Sequence, residues 1–137
     1  MSALDPMMVM ESLNANLNRH DLVNSLDLFA DDAVVKIEPA PPSERGVYQG
    51  KEEIRAWLQG LLRENLHIKA SSFQVTGNEI SWQAEISADR YRNMGIDPLK
   101  VSGHAVLWGA LIKSYELHVS PESAEKMKQA AAQRQPA

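Results

Sequence analysis

The chain has 137 residues, fourteen basic and eighteen acidic, for a formal charge of −4. A chain of this length reads as one domain over 1–137, able to bury roughly 68–70% of the surface its unfolded form exposes. The lack of cysteine excludes disulfides, thiolate catalysis and cysteine-ligated metals, and an acidic balance with no basic stripe argues against a nucleic-acid partner.

No stretch approaches the roughly 18 apolar residues of a membrane span, so no membrane partner is expected. The opening MSALDPMMVMESLNANLNRHD has no basic start and reaches polar residues too soon for a secretory leader, which points to the cytoplasm. Asp5-Pro6 predicts a helix start, with Asp5 as N-cap and Pro6 at the first helical position. Met10, Leu13 and Leu17 follow at helical spacing. A second helix starts at Asp21, carries Leu22, Leu26 and Phe29, and ends at Asp31-Asp32. Ala33 to Glu38 alternates as a short strand, and Pro39, Pro41, Pro42, Ser43 and Gly46 make a loop. Gly50 opens a third helix, with Glu52 and Glu53 at its positive end and Ile54, Trp57 or Leu58, Leu61 and Leu62 as its apolar stripe.

After Asn65 the period becomes two, and strands are expected over 66–76, 79–91, 100–108 and 111–119. Thr76-Gly77-Asn78 and Gly109-Ala110 are turns, and 94–98 is a longer connection. Ser120-Pro121-Glu122 starts a last short helix that frays into a tail over 121–137, leaving a core of about 7–120. Helices first and adjacent strands last predict an α+β fold, with helices on one face of a curved antiparallel sheet.

The segment LNRHDLVNSLDLFADDAVVKIEP followed by YQGKEEIRAWLQGL resembles the nuclear-transport-factor-two-like superfamily, in particular its SnoaL-like branch. Leu17, Asn18, Asp21, Leu28, Phe29, Ala30, Asp31, Asp32, Ala33, Gly50, Ile54 and Arg55 carry the likeness. DRYRNMGIDPL and IKSYELHVSPES extend it over about 7–123. The resemblance implies a cone-shaped α+β barrel around a hydrophobic pocket, often a homodimer through the outer sheet face. Its members include polyketide cyclases, ketosteroid isomerases, epoxide hydrolases and dehydratases, as well as non-catalytic binding domains. Such a fold does not name a reaction.

Carried over position by position, the isomerase tyrosine falls on Leu13, and the isomerase aspartate on Ile37, or on Glu38 with a slip of one residue. The hydrolase tyrosine and asparagine fall on Val35 and Ile37. Of the hydrolase Asp-Arg-Asp set, the first aspartate falls on Asp89, the arginine on Ser87, and the last aspartate on Leu117 beside Glu116. Asp89, ending a strand, is the leading candidate acid or base, because a carboxyl facing an apolar pocket has its charged form disfavoured. The bland reading pairs Asp89 with Arg90 or Arg92 in solvent. Glu38, at the expected mouth, is the second catalytic candidate or is simply solvated.

Alternation puts Gln83, Glu85, Ser87 and Asp89 on one face, and Trp82, Ala84, Ile86 and Ala88 on the other. Either the polar set lines the pocket, or Trp82 and Ile86 fill it. Tyr48 and Tyr91 are placed at opposite rims, Trp57 in core or wall, and Tyr115 in the lining. His104 is a partner for Asp89 or an ordinary sheet histidine. Among His20, His67, His104 and His118 no pair has the helical spacing of a zinc site, so no metal is expected. No phosphate-binding glycine loop or serine elbow occurs, and no cofactor is expected. The expected function is acid–base chemistry on a hydrophobic oxygenated small molecule such as a polyketide or terpenoid. The alternative is a non-catalytic hydrophobic-ligand or dimeric interaction domain.

Overall fold

A computed structural model describes residues 6–42 and 44–134. Asp5 and Ser43, singled out above, lie outside the described residues. The first helix, α1 (Pro6–Asn18), begins at the proline and buries Val9, Met10, Leu13 and Leu17. Asp21 caps α2 (Leu22–Leu26), its side chain accepting from the Asn24 N–H. This helix has only five residues, where one running to Asp31-Asp32 was expected. Strand β1 (Phe29–Glu38) takes over at Phe29 instead. Ile112 N donates to Leu28 O at 2.8 Å, and Phe29 packs edge-on against Tyr115 with ring centroids 6.0 Å apart. Strand pairing and burial of that ring outweigh the helical spacing of Leu22, Leu26 and Phe29.

Then come β2 (Val47–Gln49) and α3 (Gly50–Leu62), with Ile54, Leu58 and Leu61 buried. Strands β3 (His67–Thr76) and β4 (Glu79–Ser87) turn at Gly77, whose φ of +61° is easy for glycine. The expected strand 79–91 ends at Ser87, and Asp89–Asn93 is a short helix, α4. Two donors leave the ladder there: Asp89 N bonds Glu64 O at 2.8 Å, and Arg90 N bonds Glu64 Oε1 at 3.0 Å. Strands β5 (Leu99–Trp108) and β6 (Leu111–Val119) complete the sheet. Last is α5 (Pro121–Arg134), a helix of 14 residues where a short one was expected. Ser123 N donates to Ser120 Oγ at its start, the Ser123 hydroxyl accepts from Lys100 N at 3.0 Å, and Met127 and Ala130 are buried.

Among the described residues the six strands form one sheet in the order β2-β1-β6-β5-β4-β3. The sheet is mixed rather than wholly antiparallel, because β1 pairs parallel with β6. It is curved and unclosed. Register shifts between Ser71 and Gln74 and between Val106 and Leu107 supply local bends. Gly103 supplies a close approach: a Cβ there would fall 2.1 Å from the Trp82 ring, which lies over it.

Strand parity sorts the two faces. Trp82, Ala84, Ile86, Val101, Ala105, Tyr115 and Leu117 point into the core. Gln83, Glu85, Ser102 and Glu38 lie on the outer face. The alternative in which Trp82 and Ile86 fill the interior is the one observed. Asn18 closes α1 onto the sheet: its amide donates to Ile68 O at 2.9 Å and accepts from Ile68 N at 2.7 Å. No helix among the described residues is long and apolar enough to cross a membrane.

Candidate functional site

The inner face of the sheet and helices α1 and α3 enclose a cavity walled by Leu13, Ile37, Leu58, Leu61, Ile86 and Leu117. Its free volume is about 20 Å³. One water needs roughly 10–15 Å³, so the cavity has no room for an organic ligand.

Three aromatic side chains of its wall carry polar groups, Trp57 from α3, Tyr91 from α4 and Tyr115 from β6, and the first two reach Glu44. The Tyr91 hydroxyl donates to Glu44 Oε2 at 2.8 Å, and Trp57 Nε1 donates to Oε1 at 3.3 Å. Arg90 Nη1 stands 3.5 Å from Oε2. The Glu44 side chain is only 2% exposed. Burial pushes its carboxyl above the usual carboxylate range, and the bonds from Tyr91, Arg90 and Trp57 pull the other way. Burial, reinforced by the Glu44 charge, pushes the Tyr91 hydroxyl well up. Tyr48 moves the same way for the same two reasons.

Arg90 is itself gripped from behind. Its Nε and Nη2 each donate to a Glu64 carboxylate oxygen at 2.8 Å, a two-pronged pair that fixes the guanidinium plane. Those bonds raise Arg90 and hold Glu64 below its ordinary range. Gly60, inside α3, leaves space for this arginine: a Cβ there would meet Nη2 at 3.2 Å. The cluster opens on a groove of about 400 Å³, lined by Glu44 itself with Arg45, Tyr48, Glu52, Trp57 and Arg90. Tyr48 stacks on Trp57 with centroids 5.1 Å apart and planes 20° apart. Among the described residues no three His, Asp or Glu side chains gather to hold a metal ion.

A buried carboxyl between aromatic donors, with an apolar interior behind it, can exchange a proton with a ligand shielded from water. The sequence matches the model of the SnoaL-like domain over residues 10–108. The chain belongs to the SnoaL-like family. Solved structures agree on the cone-shaped fold of this SnoaL-like protein. An NTF2-like protein of unknown function from Cytophaga hutchinsonii superposes with a TM-score of 0.69 at 11% identity, covering 90% of this chain and 97% of that one. The epoxide hydrolase/cyclase-like enzyme SalBIII, of pyran ring formation in the polyether salinomycin, gives 0.71 at 12%, covering 86% and 92%. A computationally designed 17-OHP binder gives 0.72 at 14%, covering 90% and 95%. No curated protein matches the sequence.

Within this SnoaL-like chain, six expected lining residues meet at the cavity: Leu13, Ile37, Trp57, Tyr91, Tyr115 and Leu117. Tyr48 borders the groove instead. Val35 is buried opposite Tyr48 on the inner face of β1. Burial pushes the Tyr115 hydroxyl up as well. The remaining candidates lie elsewhere. Asp89 is not at the end of a wall strand but in the first turn of α4, its side chain 41% exposed and paired with Arg92 and Asn65. The Arg92 bond, with help from Asn65, holds its carboxyl below the usual range, the reverse of what an apolar pocket would do. Glu38 is exposed on the outer face opposite His118, because Ile37 takes the inward position without a slip. Ser87 sits half-buried against Asp97 at 3.4 Å. His104, also on the outer face, bonds Glu79 at 2.8 Å rather than Asp89.

Glu44, Arg90 and Glu64 escaped the sequence reading as site residues. Glu44 sits in a proline loop with no period, and the alternation over 79–91 places Arg90 inside a strand. The available signal was chemical: a lone Glu-Arg pair, Glu44-Arg45, amid turn formers.

Proposed function

We propose that this SnoaL-like protein is a cofactor-independent acid–base catalyst for a small, hydrophobic, oxygenated molecule, with a polyketide or terpenoid as the substrate class. Glu44 is the proton-transferring group. The observation that carries this is the Glu44 carboxyl, its side chain 2% exposed, bonded to the cavity-wall residues Tyr91 and Trp57 and lining the adjoining groove. Its raised pKa makes it a stronger base when ionised than a solvated carboxylate, and a proton donor at higher pH. In the proposed step Glu44 takes a proton from an acidic C–H or O–H of the ligand and returns it to another atom of the same molecule. Tyr91 and Arg90 steady the carboxylate before the proton is taken and after it is returned, while the ligand carries the negative charge in between. The cyclase-like SalBIII and the designed 17-OHP binder have the same fold, which supports a hydrophobic oxygenated ligand in the cone.

Deuterium exchange into a panel of cyclic and open-chain β-diketones and keto-terpenoids, followed by proton NMR, tests the proposal. Glu44→Gln should slow exchange of any accepted compound by about 10²–10⁴-fold, the usual worth of a positioned acid or base. The wild-type rate should rise with pH through an ionisation above the ordinary carboxylate range. Unchanged exchange in Glu44→Gln sinks the proposal. A loss confined to Asp89→Asn or Glu38→Gln would return the chemistry to those two carboxyls.

A second reading, a ligand-binding domain without catalysis, draws on one specific observation. Leu13, Ile37 and Leu117, where the resemblance puts catalytic groups, all line the cavity as apolar side chains. Saturable binding across the panel with no exchange above solvent would favour it.

A further inference from the structure

The cavity and the groove are neighbours, and neither is a complete ligand site alone. The cavity holds about 20 Å³ and the groove about 400 Å³. Sites for small organic molecules span roughly 300–1,000 Å³ and bury most of the ligand. The groove has the volume but lies open, and the cavity is enclosed but lacks the volume. Among the described residues Trp57 alone lines both.

The restraints on the wall residues differ. Tyr91 is 1% exposed and its hydroxyl bond to Glu44 is 2.8 Å. Leu58 and Leu61, on the same helix as Trp57, are fully packed. Trp57 is half-buried and held by one long bond, Nε1 to Glu44 at 3.3 Å, and by its stack on Tyr48. Of these side chains its indole is the least tightly held. It separates the apolar cavity from the groove, where the Glu44 carboxyl also lies. An apolar cavity of about 150 Å³ is known to stay dry and take up benzene.

We propose that Trp57 is a gate, and that its displacement joins cavity and groove into one site for a flat, fused-ring ligand carrying a single hydroxyl. The ring system replaces the indole against Leu58, Leu61 and Ile37. The hydroxyl replaces the indole N–H as donor to Glu44. Each ligand thus resembles the side chain it evicts: a planar two-ring body with one donor on its edge. This deepens the preceding reading by naming the ligand class and the entry route. It rests on Glu44 as the polar anchor and not on catalysis.

The test uses the intact protein labelled with fluorotryptophan, fluorine NMR, and two probes, β-naphthol and naphthalene. Three tryptophans, Trp57, Trp82 and Trp108, give three signals, and loss of one in Trp57→Phe assigns the gate. β-Naphthol should bind saturably and move the Trp57 signal toward that of Trp108, which is 68% exposed. The Trp82 signal, from a side chain buried over Gly103, should stay. Naphthalene, lacking the donor, should bind about threefold to tenfold more weakly, as loss of a hydrogen bond implies. Trp57→Ala should bind β-naphthol more tightly than wild type. Trp57→Phe, which keeps a ring but lacks the N–H, should fall between them and serves if the alanine variant does not fold.

Three results overturn the gate: no saturable binding to wild type, saturation with the Trp57 signal unmoved, or variants that bind no more tightly than wild type. Failure of the acid–base reading shows separately, as unchanged exchange in Glu44→Gln, and leaves this test standing.

Discussion

At Glu44 two effects oppose each other, and burial is the larger. Removing the carboxyl from water disfavours its charged form, while Arg90 at 3.5 Å and the Tyr91 hydroxyl favour it. The consequence for stability has a definite sign. A carboxyl with a raised folded pKa stabilises the protein fully below the unfolded value, about 4.3. That contribution is lost as pH rises through the raised value. The urea midpoint of wild type should therefore fall relative to that of Glu44→Gln as pH goes from about 4 upward through that ionisation. Asp21, Asp32, Glu53, Glu64 and Asp89 are shifted down and act at the acid end, but equally in both proteins, so they cancel in the comparison. Replacing Arg90 with Met should steepen the loss. Breaking a fully buried pair costs about 3–5 kcal/mol. With Arg90 24% exposed, about 2 kcal/mol is the expected destabilisation near neutral pH. An Arg90→Met protein as stable as wild type would show that Glu44 is neutral there or finds other donors.

Elements are held by residues whose role the family-like motif conceals. In Leu17-Asn18-Arg19-His20-Asp21, Asn18 bonds both backbone groups of Ile68, and Asp21 caps α2. The motif is therefore architectural: it turns the chain from α1 to α2 and pins α1 onto β3. Ile68 is 8% exposed, so Asn18→Ala would strand two buried backbone groups at about 1–3 kcal/mol. Asp21→Ala removes one exposed cap, worth about 1 kcal/mol. Urea unfolding should rank the two variants in that order with unchanged m-values; the reverse order would refute this account of the motif. At this scale much was legible. The alternation of β4 to β6, the glycine turns and the stripe of α3 all follow from local periodicity. Two element ends were not legible. Phe29 left a helical pattern because the partner strand β6 claimed it, and Asp89 left a strand pattern because Glu64 claimed its backbone. Both decisions depend on chain segments far away in sequence.

In the whole molecule the cone follows from a curved sheet that presents one apolar and one polar face. The outer face carries Glu79, Gln83, Glu85, Ser102, His104, Glu116 and His118, with His104 bonded to Glu79. This is the face through which a homodimer is expected. Sedimentation velocity at micromolar concentration should give twice the chain mass, and Ser102→Arg, at its centre, should shift the protein toward the chain mass. A wild-type species at the chain mass would remove the outer-face dimer. The exposed Trp108 at the β5–β6 turn, with the Lys113 ammonium 4.5 Å from its ring centroid, provides a control position away from the strand centres.

The sequence by itself determined which residues share a face, where most turns fall, and, through the resemblance, which fold the chain adopts. Faces and turns follow from local spacing, since a period of two or of 3.6 states directly which side chains lie on one side of an element, whereas the packed sheet sets which side of β4 is buried. It also placed six residues of the wall, with Leu13, Ile37 and Leu117 assigned through the resemblance rather than by local spacing. Only the tertiary structure decided where the chemistry lies. The Glu44–Tyr91 bond spans 47 residues, and its acceptor sits in a loop without period. Asp89 and Arg90 are sequence neighbours with opposite fates, one turned to solvent and the other drawn toward the buried carboxyl. The placement of α4 against Glu64 made that choice, and no local pattern encodes it.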